Sequence, residues 1–181
     1  MKLLDVERAT LVRGGRLLFE GLDLKLAPGD AVHVTGPNGC GKSSLIRMVA
    51  GLLAPSAGRI ERAAVALADE GLALDRELPL RRALAFWGGP RLSAAMTAFD
   101  LDRLAEVPVR LLSTGQAKRA RLARVMASAA PLWLLDEPLN GLDRDSVARL
   151  DEAVAAHRAG GGAVLAASHG PLGGAWREVA L

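Results

Sequence analysis

The chain has a single cysteine, Cys40, among its 181 residues, which excludes an internal disulfide and any site built from several thiolates. Tyrosine is absent, and three phenylalanines and three tryptophans make up the whole aromatic complement. Nucleic-acid surfaces combine a clustered basic stripe with aromatic platforms. Here the net charge is only +3, and the basic residues are scattered, with small groups at Arg81-Arg82 and along Lys118, Arg119, Arg121 and Arg124. Those groups are expected to form a solvated face or to meet anionic lipid, and no nucleic acid is expected as a partner. No apolar run approaches the roughly 18–20 residues that cross a bilayer. No basic start leads into an apolar run with a small-residue cleavage site, so the expected location is the cytosol or its membrane face. Glutamine occurs once, at Gln116.

What is present reads as one globular unit. Half of the residues are hydrophobic and 24% are charged, which places the chain with packed domains rather than disordered segments. Strands are expected at Leu3–Val6, at Gly21–Leu26 with period-two alternation, and at Ala31–Thr35. A Gly-rich turn follows, then a helix over Lys42–Ala50, a loop at Ala54–Gly58 and a strand over Arg59–Leu67. From Leu78 the pattern turns helical, and residues 78–110 are the candidate for a small inserted lobe. A helix over Gly115–Ala130, a buried strand at Leu132–Leu135, a helix over Arg144–Arg158 and a strand at Ala163–Ala167 complete the series. Strands alternating with helices around buried apolar runs predict an α/β fold, a mostly parallel sheet flanked by helices, preceded by antiparallel strands.

Gly36-Pro37-Asn38-Gly39-Cys40-Gly41-Lys42-Ser43 fits the phosphate-binding pattern G-x-x-x-x-G-K-[ST]. Its glycines let backbone N–H groups curl around phosphate oxygens, and the helix that follows aims its positive end at them. Lys42 is placed to reach the β- and γ-phosphates and the Ser43 hydroxyl to ligate Mg²⁺, with Ser44 beside it. The plain alternative is a chance Gly-rich turn, which the preceding strand and following helix oppose. Pro131 to Leu135 leads an apolar strand into Asp136-Glu137. The first acid is the candidate second ligand for Mg²⁺, and the second is placed to accept a proton from attacking water. A solvated turn would also end in two acids, so this pair gains its meaning from the loop at Gly36. The same loop makes Cys40 a candidate for modification that ATP should block.

Leu112-Ser113-Thr114-Gly115-Gln116 resembles the LSGGQ signature of the ABC ATPases, with Thr114 in place of a glycine. The bland reading is a helix N-cap at Ser113. The resemblance implies that Ser113, Thr114, Gly115 and Gln116 grip the ATP bound by a second copy, and hence a homodimer. Leu139-Asn140-Gly141-Leu142-Asp143 resembles the segment that touches the partner copy, through Asp143. His169, after the strand ending Ala166-Ala167-Ser168, stands where the family has its switch histidine and joins Glu137 and Lys42 as a catalytic candidate. His33 and His157 read as ordinary core or surface histidines, the latter at a helix end whose dipole favours its charged form. On this resemblance, residues 1–181 form a single ABC nucleotide-binding domain, with ATP and Mg²⁺ as its ligands.

Two family features are missing. The aromatic residue that stacks on adenine is replaced by the stretch Leu11-Val12-Arg13, where Arg13 offers a planar guanidinium instead. The glutamine that precedes the helical lobe in the family is absent, and Asp69 and Glu70 stand nearest its place. Val107-Pro108-Val109, Lys118-Arg119, Leu122-Ala123-Arg124 and His169-Gly170-Pro171-Leu172 are similar to the ATP-binding subunits of the haem exporter of cytochrome c maturation. That similarity implies integral membrane subunits as partners and a peripheral position on the cytoplasmic side of the bacterial inner membrane. The ATPase of another small exporter is one alternative, and a weakly catalytic nucleotide-binding regulator is the one left open by the missing glutamine.

Overall fold

The computed structural model describes residues 2–71 and 73–181. The chain opens with β1 (Leu4–Arg13) and β2 (Arg16–Leu26), an antiparallel pair joined through Gly14 and Gly15. Both strands are longer than their apolar alternation predicts, 10 and 11 residues. The register of β1 against β2 shifts between Val6 and Ala9, and Arg8 there has a left-handed φ of 46°. Such bulges break the period-two signal without ending the strand.

Next come β3 (Ala31–Thr35), α1 (Lys42–Val49), β4 (Ala57–Arg62) and β5 (Val65–Ala68). The single strand expected over Arg59–Leu67 is therefore two strands. β4 pairs antiparallel with β1, while β5 pairs parallel with β6 (Leu132–Asp136) in a second sheet. Ala63 and Ala64 carry the chain from one sheet to the other, with the Ala63 N–H donating to the Leu3 carbonyl at 3.0 Å. A continuous apolar-polar run does not reveal that two different sheets need it.

Residues 78–110 hold α2 (Leu80–Gly88), α3 (Leu92–Ala98) and 3-10 turns at Gly89–Arg91, at Asp102–Leu104 and, running one residue past the end, at Val109–Leu111. Pro79 and Pro108 bridge, so the two ends of this segment meet. Its apolar side (Leu80, Leu84, Met96, Phe99 and Leu101) is fully buried and packs against α4 (Thr114–Ala127). After β6 come α5 (Arg144–Ala159), β7 (Ala163–Ala167) and β8 (Arg177–Ala180). The last strand is polar and mostly exposed, which is why no hydrophobic pattern announces it.

The second sheet has the order β5-β6-β7-β3-β8, and each of its pairs is parallel. Every residue of β6 and β7 is buried, as expected where both faces of a parallel sheet are covered. Alternation sorts their side chains into two cores. Trp133, Leu135, Val164 and Ala166 join the core under the helices α2 to α5. Leu132, Leu134, Ala163, Leu165 and Ala167 face the other way, toward α1 and the antiparallel sheet. His157 departs from expectation only in its charge: its ring stacks on Trp133 at 3.9 Å and its Nε2 lies 3.2 Å from the Pro131 carbonyl. Burial there lowers its pKa, so the surroundings oppose the charged form that the helix end alone would favour.

Candidate functional site

The loop Gly36–Gly41 leaves the carboxyl end of β3, the end at which parallel α/β sheets place their ligand crevices. Gly36 has φ 139°, and a Cβ there would lie 2.8 Å from Cys40 Sγ and 2.9 Å from the Leu181 carbonyl oxygen. Only glycine fits. Gly41 caps α1 at φ 117° with no side-chain partner for the first helical amides. Those amides and the helix dipole therefore face the loop. Lys42 folds back across it, its Nζ donating to the carbonyls of Gly36 at 2.7 Å and Pro37 at 3.1 Å.

A cleft of ≈ 400 Å³ opens here, lined by Asn38, Gly39, Gly41, Lys42, Ser43 and Ser44 from the loop and α1, together with Arg13, Leu18, Glu137 and His169. Gly36, Pro37 and Cys40 shape the loop without lining the cleft. Arg13 comes from the end of β1, on the hairpin. Leu18 on β2 had no motif to betray it.

Asp136 ends β6, and its Oδ1 accepts a hydrogen bond from Ser43 Oγ at 2.9 Å. Burial raises the Asp136 carboxyl above the usual carboxylate range, the Ser43 hydrogen bond opposes this, and the neighbouring Glu137 adds to the rise. Glu137 follows in a left-handed conformation, φ 48°, with its N–H donating to the Ala167 carbonyl at 2.8 Å. Its Oε1 lies 3.3 Å from His169 Nε2, and its Oε2 accepts from the His169 N–H at 3.4 Å. Residues from β3–α1, β6 and the end of β7 thus converge on one place.

The donor set fits Mg²⁺. Ser43 and Asp136 give two hard oxygen ligands, and a buried carboxylate held above its usual pKa would be relieved by a cation. Among the described residues no group of three or more His, Cys, Asp or Glu gathers as a metal cage. Mg²⁺ commonly takes one or two protein ligands and completes its shell with phosphates and water.

The structure does not bring Ser113–Gln116 to this cleft. Ser113 caps α4: its Oγ accepts from the Gln116 N–H at 3.3 Å, while Gln116 Oε1 accepts from the Ser113 N–H at 2.9 Å. Ser113 and Thr114 are exposed. Asp143 caps α5 in the same way, its Oδ1 accepting from the Ser146 N–H at 2.8 Å. Asp69 and Glu70 lie after β5, outside the cleft lining; their carbonyls accept from Arg121, and Asp69 Oδ1 accepts from the Gly71 N–H at 3.0 Å.

The basic group on α4 is not a solvated face. Lys118 and Arg124 are only 6% and 7% exposed. Lys118 Nζ donates to the Glu137 carbonyl at 2.8 Å, and Arg124 donates to the Leu67 carbonyl. Long cationic side chains bury their stems and spend their hydrogen bonds on strand-end carbonyls, which a composition-based reading does not reveal.

A phosphate loop, an acid pair at a strand end and a capped glycine turn on a parallel sheet define a P-loop ATPase of the ABC kind. The family model described as ABC transporter matches residues 19–140. The cytochrome c biogenesis ATP-binding export protein CcmA of Sphingopyxis alaskensis is 57% identical over 174 residues, covering 92% of this chain and 90% of the relative. A solved ATP-binding subunit of an ABC transporter superposes with a TM-score of 0.83 at 26% identity, covering 92% of this chain and 79% of that one. An ATP-binding cassette solved as a dimer in a post-hydrolysis state with ADP and Pi shares the fold, with a TM-score of 0.79 at 20% identity over 92% and 88% of the two chains. The chain belongs to the ABC transporter family and is one of its ATP-binding, ATP-hydrolysing subunits.

Proposed function

We propose that two copies of this chain close around two Mg-ATP molecules and that hydrolysis drives integral membrane subunits in an export step of cytochrome c biogenesis, with haem as the cargo handled. The observation that carries the catalytic part is the convergence of Lys42, Ser43, Asp136, Glu137 and His169 at one cleft. Loop amides from Gly36 to Ser44 receive the phosphates, and Lys42 exchanges its loop carbonyls for the β- and γ-phosphate oxygens. Arg13 and Leu18 offer a planar cation and an apolar wall to the base. Ser43 and Asp136 hold Mg²⁺, which when bound neutralises phosphate charge.

Glu137 accepts the proton of the attacking water, and His169, in contact with its Oε1, holds the carboxylate in place. Ser113 to Gln116 of the second copy supply an anion site at the head of α4, facing the γ-phosphate. Asp143 lies at the contact between copies.

No helix among the described residues is long and apolar enough to cross a membrane, so the membrane step belongs to a partner. Phe86 and Trp87 on α2 are 83% and 40% exposed, an aromatic pair suited to meet the cytoplasmic face of such a subunit. Phosphate release by the purified chain with Mg-ATP tests the catalytic reading. Glu137→Gln should bind ATP yet hydrolyse it roughly 10²–10⁴-fold more slowly, and an unchanged rate would remove Glu137 from the mechanism. Pull-down from detergent-solubilised membranes tests the partner: an integral membrane protein should co-purify, and its absence would count against the export role.

A further inference from the structure

Lys118 is a buried cation with no part in the scheme above. It sits on the second turn of α4, 6% exposed. Its Nζ reaches across to donate to the main-chain carbonyl of Glu137 at 2.8 Å. That carbonyl belongs to the peptide leaving the candidate base, at a residue whose φ of 48° is left-handed. A non-glycine residue keeps such a conformation only when its surroundings over-determine it.

Four contacts do so here: the Glu137 N–H on the Ala167 carbonyl, the carboxylate on His169 and, on the Glu137 carbonyl, the Asn140 N–H at 3.3 Å and the shorter bond from Lys118 at 2.8 Å. The first two come from the β7 side of the sheet. The Asn140 bond is local to the turn after β6, and Lys118 alone reaches Glu137 from α4.

We propose that Lys118 is a positioning residue for ATP hydrolysis, fixing the Glu137 peptide so that its carboxylate is aimed at the attacking water. This rests on Glu137 acting as the base. The burial of Lys118 supports it. Desolvation and the neighbouring Arg121 lower the lysine pKa, while Asp136, Glu137 and Glu70 favour its charge. A buried ammonium is costly unless its partners repay it, and the hydrogen-bond partner of this one is the main-chain carbonyl at the end of β6 that carries the candidate base. α4 also begins at the capped Ser113 turn, so the helix that presents the signature to one nucleotide holds the base at the other.

The test is steady-state ATPase kinetics of the full chain with Mg-ATP, alongside thermal melting. Lys118→Met removes the donor, and kcat should fall tenfold or more with KM for ATP within about twofold, since a misplacement of about 1 Å at a reacting group can cost roughly 10²-fold. Lys118→Gln keeps a neutral donor and should fall only about three- to tenfold, again through kcat. In a Glu137→Gln background, adding Lys118→Met should change the residual rate by less than about twofold, because residues acting as a unit are non-additive.

A wild-type kcat in either Lys118 variant, or a KM that rises as much as kcat falls, overturns the proposal. If Lys118→Met does not fold, the Lys118→Gln kinetics and their dependence on Glu137 decide it by the same criteria. A Glu137→Gln protein that hydrolyses at the wild-type rate would instead overturn the assignment of the base itself. That outcome is separable from a failure confined to Lys118.

Discussion

The heads of α1 and α4 carry the same chemistry in different states of completion. At α1, Gly41 gives no side-chain cap, and the free helical amides turn inward to a cleft already furnished with Lys42, Ser43 and, across the sheet, Glu137. At α4, Ser113 and Gln116 cap each other reciprocally, and the turn lies exposed and outside the cleft. The capping box engages the amides of Ser113 and Gln116 and not those of Thr114 and Gly115. The first site is assembled within one chain. The second is a capped helix start, which under the proposed function acquires a ligand only when a second copy presents one.

The largest effect that separates the two should come from Lys42→Met. Removing the cation forfeits charge-assisted hydrogen bonds worth roughly 1.5–3 kcal/mol each, so calorimetry should show ATP binding weaker by about a hundredfold or more. Binding within about threefold of wild type would mean that the loop amides suffice.

Ser113→Asp comes next and acts at the other head. Aspartate caps a helix as well as serine does, so the melting temperature should hold. The added charge would oppose the γ-phosphate of the second copy, and turnover should drop about tenfold, or ~1.4 kcal/mol. If stability falls and turnover does not, Ser113 is a cap and nothing more.

The smallest effect concerns Asp136, whose burial raises its carboxyl pKa. The folded state then holds that proton more tightly than the unfolded chain does. Stability is fullest below the unfolded value of about 3.9 and is lost as pH rises through the higher folded value. Asp136→Asn keeps an acceptor for Ser43 without the charge. Without nucleotide it should melt a few degrees higher at pH 7, an advantage that shrinks toward pH 4. A variant that melts lower at neutral pH would show that the carboxylate stabilises the apo fold.

The sequence discloses the first head better than the second. Gly36 to Ser43 is legible because eight consecutive residues carry its geometry, and β6 is legible because it is apolar on both faces up to Asp136. Ser113–Gln116 reads equally well as a cap, and within one chain it is one. What escapes the sequence is decided by tertiary packing. The division of residues 57–68 between two sheets depends on which neighbour each half meets. The polar β8 is held at the sheet edge by pairing with β3 rather than by burial. Lys118 and Arg124 look like surface charges until the carbonyls of Glu137 and Leu67 are found beside them.

The central claim, that the two heads belong to one site shared between two copies, is tested most directly by the mass of Glu137→Gln in solution. Size-exclusion chromatography with light scattering should give the single-chain mass of 18.9 kDa without nucleotide and twice that with saturating Mg-ATP, since uncleaved ATP keeps both heads engaged. Adding Ser113→Asp should return it to one chain. A protein that binds ATP, does not hydrolyse it and still elutes at the mass of one chain would contradict the account.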